Sequence, residues 1–221
     1  MQTSTIIEIE LKYQVREEAL VRQLLSLREV GPYRVGEFST DEIIDTYLDT
    51  PSQRFFIAQY AFRYRQDDTG GCVQLKSLGR TAGARHQRAE LRAQTDHPTR
   101  PDVWPEGLAR QLALEILDHE TPVELFSIRQ IRHTAPLIAA DQRRVACVSI
   151  DEVTWVLPQS EHRAWELEVE LLEAGREEDL RIIQSHLATL GGLQPAHSSK
   201  FERGLRLLRG SSQPKQMDVH V

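Results

Sequence analysis

Two cysteines, Cys72 and Cys147, are all that the 221 residues contain. They are far apart in sequence, so neither a disulfide framework nor a cysteine zinc site is supported. Both are expected to be small buried hydrophobes in strands, in a reducing, cytoplasmic compartment. Long apolar runs are missing as well. Stretches such as 135–140 fall far short of the ~18 residues that a membrane span needs, so no membrane partner is expected. The first residues carry no apolar signal segment, because Ile6 and Ile7 run straight into Glu8 and Glu10. An excess of base is lacking too: 27 Lys and Arg stand against 33 Asp and Glu, a net charge of −6. That balance argues against a nucleic-acid partner. There is no P-loop, no GxGxxG, no GxSxG and no HExxH, and the eight histidines show no metal-ligand spacing. If phosphates are handled, side chains must hold them. What is present is ordinary for a globular chain, 40% apolar and 27% charged.

Short alternating segments dominate. Residues 5–13 place Ile7, Ile9 and Leu11 on one face and Glu8, Glu10 and Lys12 on the other, the period of a strand. Ala19, Leu20, Leu24 and Leu27 recur at helical spacing over 16–28. A long extended stretch around 38–50 ends at Pro51, and a short helix through Phe55 and Phe56 follows. Further strands are predicted at 60–66, 72–78, 85–95, 124–134, 144–153 and 162–173. Helices are predicted at 105–118, 177–190 and 199–209, the second of them stopped by Gly191 and Gly192. No repeat or linker divides the chain, so residues 1–209 read as one domain and 210–221 as a frayed tail. Strands with short connections imply an α+β fold whose antiparallel sheet is large enough to curl or close.

The charged residues on the second strand faces carry the chemistry. For any one strand, a solvated face is the commonest cause of such alternation. Two features set the group apart. Thr or Ser would decorate a wet face without self-repulsion, whereas Glu, Lys and Asp are depleted in strands. The charges also segregate by sign, with acids near both ends of the chain and bases between. Residues i and i+2 of a strand lie about 6.6 Å apart. Two carboxylates at that distance repel by about 2.5 kcal/mol at an effective dielectric of about 20. Glu166, Glu168 and Glu170 incur that cost twice, unless a hard divalent cation such as Mg²⁺ or Mn²⁺ turns it to advantage. If the sheet closes, seven acids (Glu8, Glu10, Glu90, Asp151, Glu166, Glu168, Glu170) and seven bases (Lys12, Arg63, Arg65, Lys76, Arg88, Arg92, Arg132) point into one barrel. Lys200 on a terminal helix adds an eighth base. Bases in such numbers suit a ligand with several phosphoryl groups in a row. The apolar strand faces would then point outward under a jacket of helices, with Trp155 and Trp165 in that jacket. His133, next to Arg132, should face away from the charges.

The opening Glu8-Ile9-Glu10-Leu11-Lys12 is an ExExK motif, and in this company it resembles the CYTH superfamily, the triphosphate tunnel metalloenzymes. The family pattern continues with Tyr47, Asp49 and Pro51, the Arg63 and Arg65 pair, Lys76, Glu90, Arg132, Asp151, the triplet Glu166, Glu168 and Glu170, and Lys200. The resemblance runs from Glu8 to about Leu208. It implies a closed eight-stranded antiparallel barrel, a tunnel with helices packed outside, that holds a divalent metal and a triphosphate. Carried over, Glu8, Glu10, Glu166 and Glu168 hold metal, with Glu170 left open by the register of the triplet. Lys12 contacts phosphate and orients the attacking water. Arg63, Arg65, Lys76 and Arg132 bind phosphoryl oxygens, and Lys200 closes one end of the tunnel. Lys12, Glu10, Arg63 and Arg65 are thus the catalytic candidates, supported by Glu90, Asp151 and Tyr47. Arg88 and Arg92 have the right parity but no clear family counterpart, and a role in pairing nearby acids suits them as well.

The C-terminal pattern is most similar to the bacterial inorganic triphosphatase branch, in which a helical CHAD domain often follows in a longer parent chain. That resemblance implies hydrolysis of tripolyphosphate with Mg²⁺ or Mn²⁺. Class IV adenylate cyclase and thiamine triphosphatase share the phosphate residues and stay open as alternatives, as does a module that binds polyphosphate or a nucleotide without turnover. The oligomeric state is left open.

Overall fold

The alternation over the first residues is realised as a strand, Ile6–Val15 (β1). The computed structural model describes residues 6–67 and 70–211, so the tail expected at 210–221 lies outside the described residues from 212 onward. Seven further long strands follow: Ser39–Asp49 (β2), Tyr60–Asp67 (β3), Gly70–Ser77 (β4), Arg85–Gln94 (β5), Val123–Ile138 (β6), Arg144–Leu157 (β7) and Ser160–Leu171 (β8). Every pairing between them is antiparallel. β1 lies between β5 and β8, and the order β8, β7, β6, β2, β3, β4, β5 returns to β1. The ring is closed, as the alternation and the resemblance led us to expect.

Helices Glu18–Leu25 (α1), Arg54–Ile57 (α2), Leu108–Leu117 (α3), Glu177–Leu187 (α4) and Lys200–Ser211 (α5) surround the barrel. On one side Leu20, Val21 and Leu24 of α1 and Leu180, Ile183 and Leu187 of α4 pack on Leu11, Tyr13, Ile150 and Val169. On another, Phe55 of α2, Trp104 and the buried stripe of α3 cover Phe62, Val73 and Leu75. The Phe55 and Phe62 rings stand 4.9 Å apart, and those of Phe62 and Trp104 5.7 Å. Each such side chain contributes roughly 1.5–3 kcal/mol by leaving water. Asp49 secures α2, its carboxylate accepting the backbone N–H groups of Thr50, Phe55 and Phe56.

Several boundaries differ from the sequence reading. β6 was expected to stop at 134, before Pro136, which has no N–H to donate. It instead runs on to Ile138, with Pro136 opposite Cys147 and a register shift near Arg144 and Ala146. β7 continues to Leu157 and turns tightly into β8. The helix predicted at 177–190 gives way after Leu187 to a 3₁₀ turn over Ala188–Leu190, and α5 reaches Ser211 rather than 209.

The larger correction concerns Trp155. It shares a strand face with Asp151 and Val153, so it points into the barrel and not into the outer jacket. There it joins Tyr47, Phe126, Ile128, Phe201 and Leu205 in an apolar cluster that fills the end of the barrel beneath α5. Its indole N–H donates to the Lys200 carbonyl, 2.9 Å away. Trp165 has the opposite parity and packs outside, as expected. Ile128 is fully buried in that inner cluster, so Ile128→Val should cost about 0.5–1.5 kcal/mol in urea unfolding. No change would mean that the closed end is loosely packed.

No helix among the described residues is long and apolar enough to cross a membrane.

Candidate active site

Strand parity brings the charged faces together inside the barrel. Glu8, Glu10 and Lys12 project from β1, Arg63 and Arg65 from β3, and Lys76 from β4. Arg88, Glu90 and Arg92 come from β5, Arg132 from β6, Asp151 from β7, and Glu166, Glu168 and Glu170 from β8. The cross-strand register puts Glu10 opposite Glu170, Lys12 opposite Glu168 and Gln14 opposite Glu166. It also puts Glu8 opposite Arg88, Lys76 opposite Glu90 and Asp151 opposite Arg132. A cavity of about 140 Å³ runs along many of these side chains, from Glu8, Lys12 and Arg63 to Glu168 and Glu170, and is also lined by Ser77–Gly79 and by Lys200 and Phe201.

Acids and bases interleave tightly. Lys12 Nζ lies 3.1 Å from Glu10 and 3.0 Å from Glu168. Lys76 Nζ stands 3.1 Å from Glu8 and 2.9 Å from Glu90. Arg88 donates to both Glu8, at 2.7 Å, and Glu10, at 2.6 Å. Arg132 grips Asp151 through Nε and Nη2 at 2.8 and 2.6 Å, and reaches Glu168 at 2.9 Å. Lys200, delivered by the first turn of α5, sits 2.8 Å from Asp151, 2.7 Å from Glu168 and 3.4 Å from Glu166.

These neighbours decide the protonation states. Burial pushes the carboxyl of Glu8 up, yet Lys76 and then Arg88 outweigh it and hold Glu8 well below the usual range. The same contest lowers Glu168 through Lys12 and Lys200, and Asp151 through Lys200 and Arg132. Glu166 goes the other way, raised by burial at the closed end. Glu170 is raised too, by burial first and then by the negative charges of Glu8 and Glu10. Burial, helped by Arg63 and Arg88, brings Lys76 down to about 8.

All the residues singled out in the sequence thus reach one lumen, but not one spot. Glu166 lies apart from Glu10 and Glu170, 3.4 Å from Lys200 and 3.7 Å from Arg203. Glu170 faces Glu10, which resolves the register that the triplet left open. Tyr47 sits on the boundary, its ring against Phe126 at 5.1 Å and Phe201 at 5.3 Å, next to Arg63 in the cavity wall. Arg88 is a full member of the cluster, whereas Arg92 pairs with Glu90 at a more exposed position. Cys72 and Cys147 depart from expectation. Each has lumen parity, alongside Lys76 and Asp151 respectively, and each is only half-buried. His133 does face away, with Nδ1 2.8 Å from the Thr40 hydroxyl.

Among the lumen residues that escaped the sequence reading are Asp45, Gln74, His86 and Gln130. Asp45 binds Arg63 and Arg65, Gln74 accepts from Arg63 Nε at 2.6 Å, and Gln130 donates to Asp45 at 2.8 Å. His86 lies opposite Glu10, its Nε2 2.7 Å from the Ala196 carbonyl. Parity was the available signal, since Asp45 stands two residues before Tyr47 and His86 two before Arg88.

The acids fit a divalent cation by their chemistry, being hard oxygen donors set close enough to shift one another's protonation. Among the described residues no three of the His, Cys, Asp and Glu side chains already converge on a common point, because Lys and Arg occupy nearly every carboxylate. Glu170 is the exception. It makes no ion pair or side-chain hydrogen bond among the described residues, while facing Glu10 and feeling the charge of Glu8.

The family model of the CYTH domain matches residues 6–205. Among solved structures, a protein of Hippeastrum provisionally assigned as an adenylyl cyclase, and described as revealing a dominant triphosphatase activity, aligns with a TM-score of 0.59. It is 18% identical, over 94% of this chain and 98% of that one. A protein of Bacillus halodurans provisionally assigned as an adenylate cyclase aligns with a TM-score of 0.60 at 17% identity, over 90% and 97% of the two chains. At these identities the likeness establishes the shared tunnel fold.

Proposed function

Because the chain belongs to the CYTH domain family, whose members are generally metal-dependent, we propose that it hydrolyses a triphosphate inside the barrel, with inorganic tripolyphosphate as the preferred substrate. The observation that carries this reading is the lumen itself. Lys12, Arg63, Arg65, Lys76, Arg132 and Lys200 line one continuous cavity with Glu8, Glu168 and Glu170. Among the described residues the lysines and arginines of that wall outnumber its aromatic and amide side chains, Tyr47, Phe201, His86, His197 and Gln87. The triphosphatase activity described for the Hippeastrum protein supports the same reaction class.

Glu8, Glu10 and Glu170, with Glu168 beside them, would hold Mg²⁺ or Mn²⁺. When bound, the ion would supply a hard Lewis acid to phosphoryl oxygens. Arg63, Arg65, Lys76 and Arg132 would bind the phosphoryl oxygens and neutralise charge as the leaving group departs. Lys12, between Glu10 and Glu168, would donate to the attacking water and orient it toward a terminal phosphorus. The water oxygen bonds to that phosphorus, the anhydride bond breaks, and the proton leaves with the products, pyrophosphate and orthophosphate. Glu90 and Asp151 hold Lys76, Arg92, Arg132 and Lys200 in place.

The test is phosphate release from tripolyphosphate, ATP and thiamine triphosphate with Mg²⁺ or Mn²⁺, with cyclic AMP measured alongside. The expected result is the highest kcat/KM for tripolyphosphate and no cyclic AMP. A higher value for ATP, or any metal-dependent cyclic AMP, would move the assignment to a cyclase. Binding of tripolyphosphate without turnover would leave a binding module.

A further inference from the structure

Three carboxylates in the lumen have no exposure at all: Asp45, Glu90 and Asp151, each at 0%. Each stands between two cations. Glu90 holds Lys76 and Arg92, and Asp151 holds Arg132 and Lys200. Asp45 completes the set. Its Oδ1 accepts from Arg65 Nε at 2.7 Å. Its Oδ2 accepts from Arg65 Nη2 at 2.8 Å, Arg63 Nη1 at 3.2 Å and Gln130 Nε2 at 2.8 Å. We infer that Asp45 is a positioning residue for the proposed reaction, holding Arg63 and Arg65 by their rear edges so that their remaining N–H groups face the phosphoryl path.

The geometry of guanidinium supports this directly. Arg carries five N–H donors in a rigid fork. Asp45 takes two of them from Arg65, and among the described residues nothing takes the other three. Arg63 gives Nε and Nη2 to the Gln74 side-chain oxygen and one Nη1 hydrogen to Asp45. One hydrogen on each Nη is left to meet a ligand. The anchor is itself rigid, since Asp45 lies in mid-strand on β2, directly opposite Arg65 on β3 and Ile128 on β6. Burial opposes its ionisation, but Arg63 and then Arg65 hold the carboxyl well below the usual range. The four hydrogen bonds are therefore made to a charge.

The competing role for a buried acid beside two arginines is to cancel their charge. The two roles predict opposite signs. Without Asp45 the lumen gains one positive charge, so simple neutralisation predicts tighter binding of a polyanion. Loss of orientation predicts weaker binding.

The inference rests on the triphosphate reading, and the experiment separates the two. Asp45→Asn in the full chain keeps the side-chain size but offers one acceptor oxygen where the carboxylate has two. The KM for tripolyphosphate is expected to rise at least ~10-fold, the loss typical of one charge-assisted hydrogen bond. Adding Asp45→Asn to Arg65→Ala should cost much less than it does alone, because the two act as one unit. The second measurement is the ¹⁵Nε–Hε NMR spectrum of the arginines, assigned with Arg63→Lys and Arg65→Lys. In the unsubstituted protein both signals should be resolved and protected from solvent exchange. In Asp45→Asn the Arg65 signal should lose that protection. Tighter binding, an unchanged KM, or averaged and unprotected Arg63 and Arg65 signals in the unsubstituted protein would each overturn the assignment. If Asp45→Asn does not fold, the spectrum of the unsubstituted protein decides alone. If that protein neither binds nor hydrolyses tripolyphosphate, the proposed function fails, while the spectrum still decides the anchoring.

Discussion

Glu10→Gln is expected to lower triphosphate turnover at least ~100-fold, in the range seen when an enzyme loses a key electrostatic group. The change removes a charge but keeps the shape, so the fold should persist. Glu10 lies opposite Glu170 and one strand away from Arg88 opposite Glu8, so three carboxylates share one region of the lumen. Without a cation that proximity is costly; Lys76, Lys12 and Arg88 pair directly with Glu8 and Glu10, whereas Lys76 only partly offsets the charge at Glu170. Glu170→Gln should therefore behave like Glu10→Gln. Glu166→Gln should cost far less turnover, since Glu166 faces Lys200 and Arg203 at the closed end. Steady-state kinetics on the three variants, with a chelator titration of the unsubstituted protein, checks this. Full activity in excess chelator would end the metal hypothesis, and a loss in Glu166→Gln equal to that in Glu10→Gln would restore Glu166 to the metal set.

The second large effect is on stability in acid. Burial pushes the carboxyls of Asp45, Glu90 and Asp151 up, but paired cations outweigh it in each case and leave all three below their unfolded values. Glu8 and Glu168 behave alike. A depressed carboxyl contributes its full share of stability above the unfolded value, about 4 to 4.5. That share disappears as pH falls through the folded value. Glu166 and Glu170 act in the opposite direction, being raised by burial, but they are two against five. Urea unfolding followed by circular dichroism should show a shallow decline from about pH 6.5, because burial holds His86 below its usual value, then a steep one from about pH 5 toward pH 2. A midpoint that stays flat to pH 2 would mean that water, rather than Lys and Arg, solvates these acids.

Much of this site was legible in the sequence because a strand's period of two sorts side chains without any knowledge of the partners. Glu8, Glu10 and Lys12 announce their common face by alternating with Ile9 and Leu11, and Glu166, Glu168 and Glu170 do so around Leu167 and Val169. Asp45 was hidden because its own face is mixed: Ile43 and Tyr47 flank it, and both are buried. Hydrophobicity cannot separate inside from outside in such a stretch. The same ambiguity covers the end of β7, where Val153 and Trp155 continue the face of Asp151 into the apolar cluster under α5. Register was the other unreadable quantity. Which glutamate of the triplet meets Glu10 depends on how β8 slides along β1, and that is set by packing over the whole ring.

The position of β1 has a further consequence for how the protein comes into being. Its long neighbours are β5 and β8, the latter some 155 residues downstream, with Glu10 paired to Glu170, and the short strand Leu193–Pro195 pairs with its end from Tyr13 to Val15. The acids at the start of the chain therefore have no site until almost all of the barrel has been synthesised. Closing so long a loop before its contacts are made is entropically slow, which places folding toward the millisecond-to-second end of the range for single domains. Until β8 arrives, the β1 edge that it covers is unpaired, and the alternating charges of Glu8, Glu10 and Lys12 make that edge a poor template for a second chain. The side chains proposed to hold a metal ion would also protect the nascent strand from aggregation.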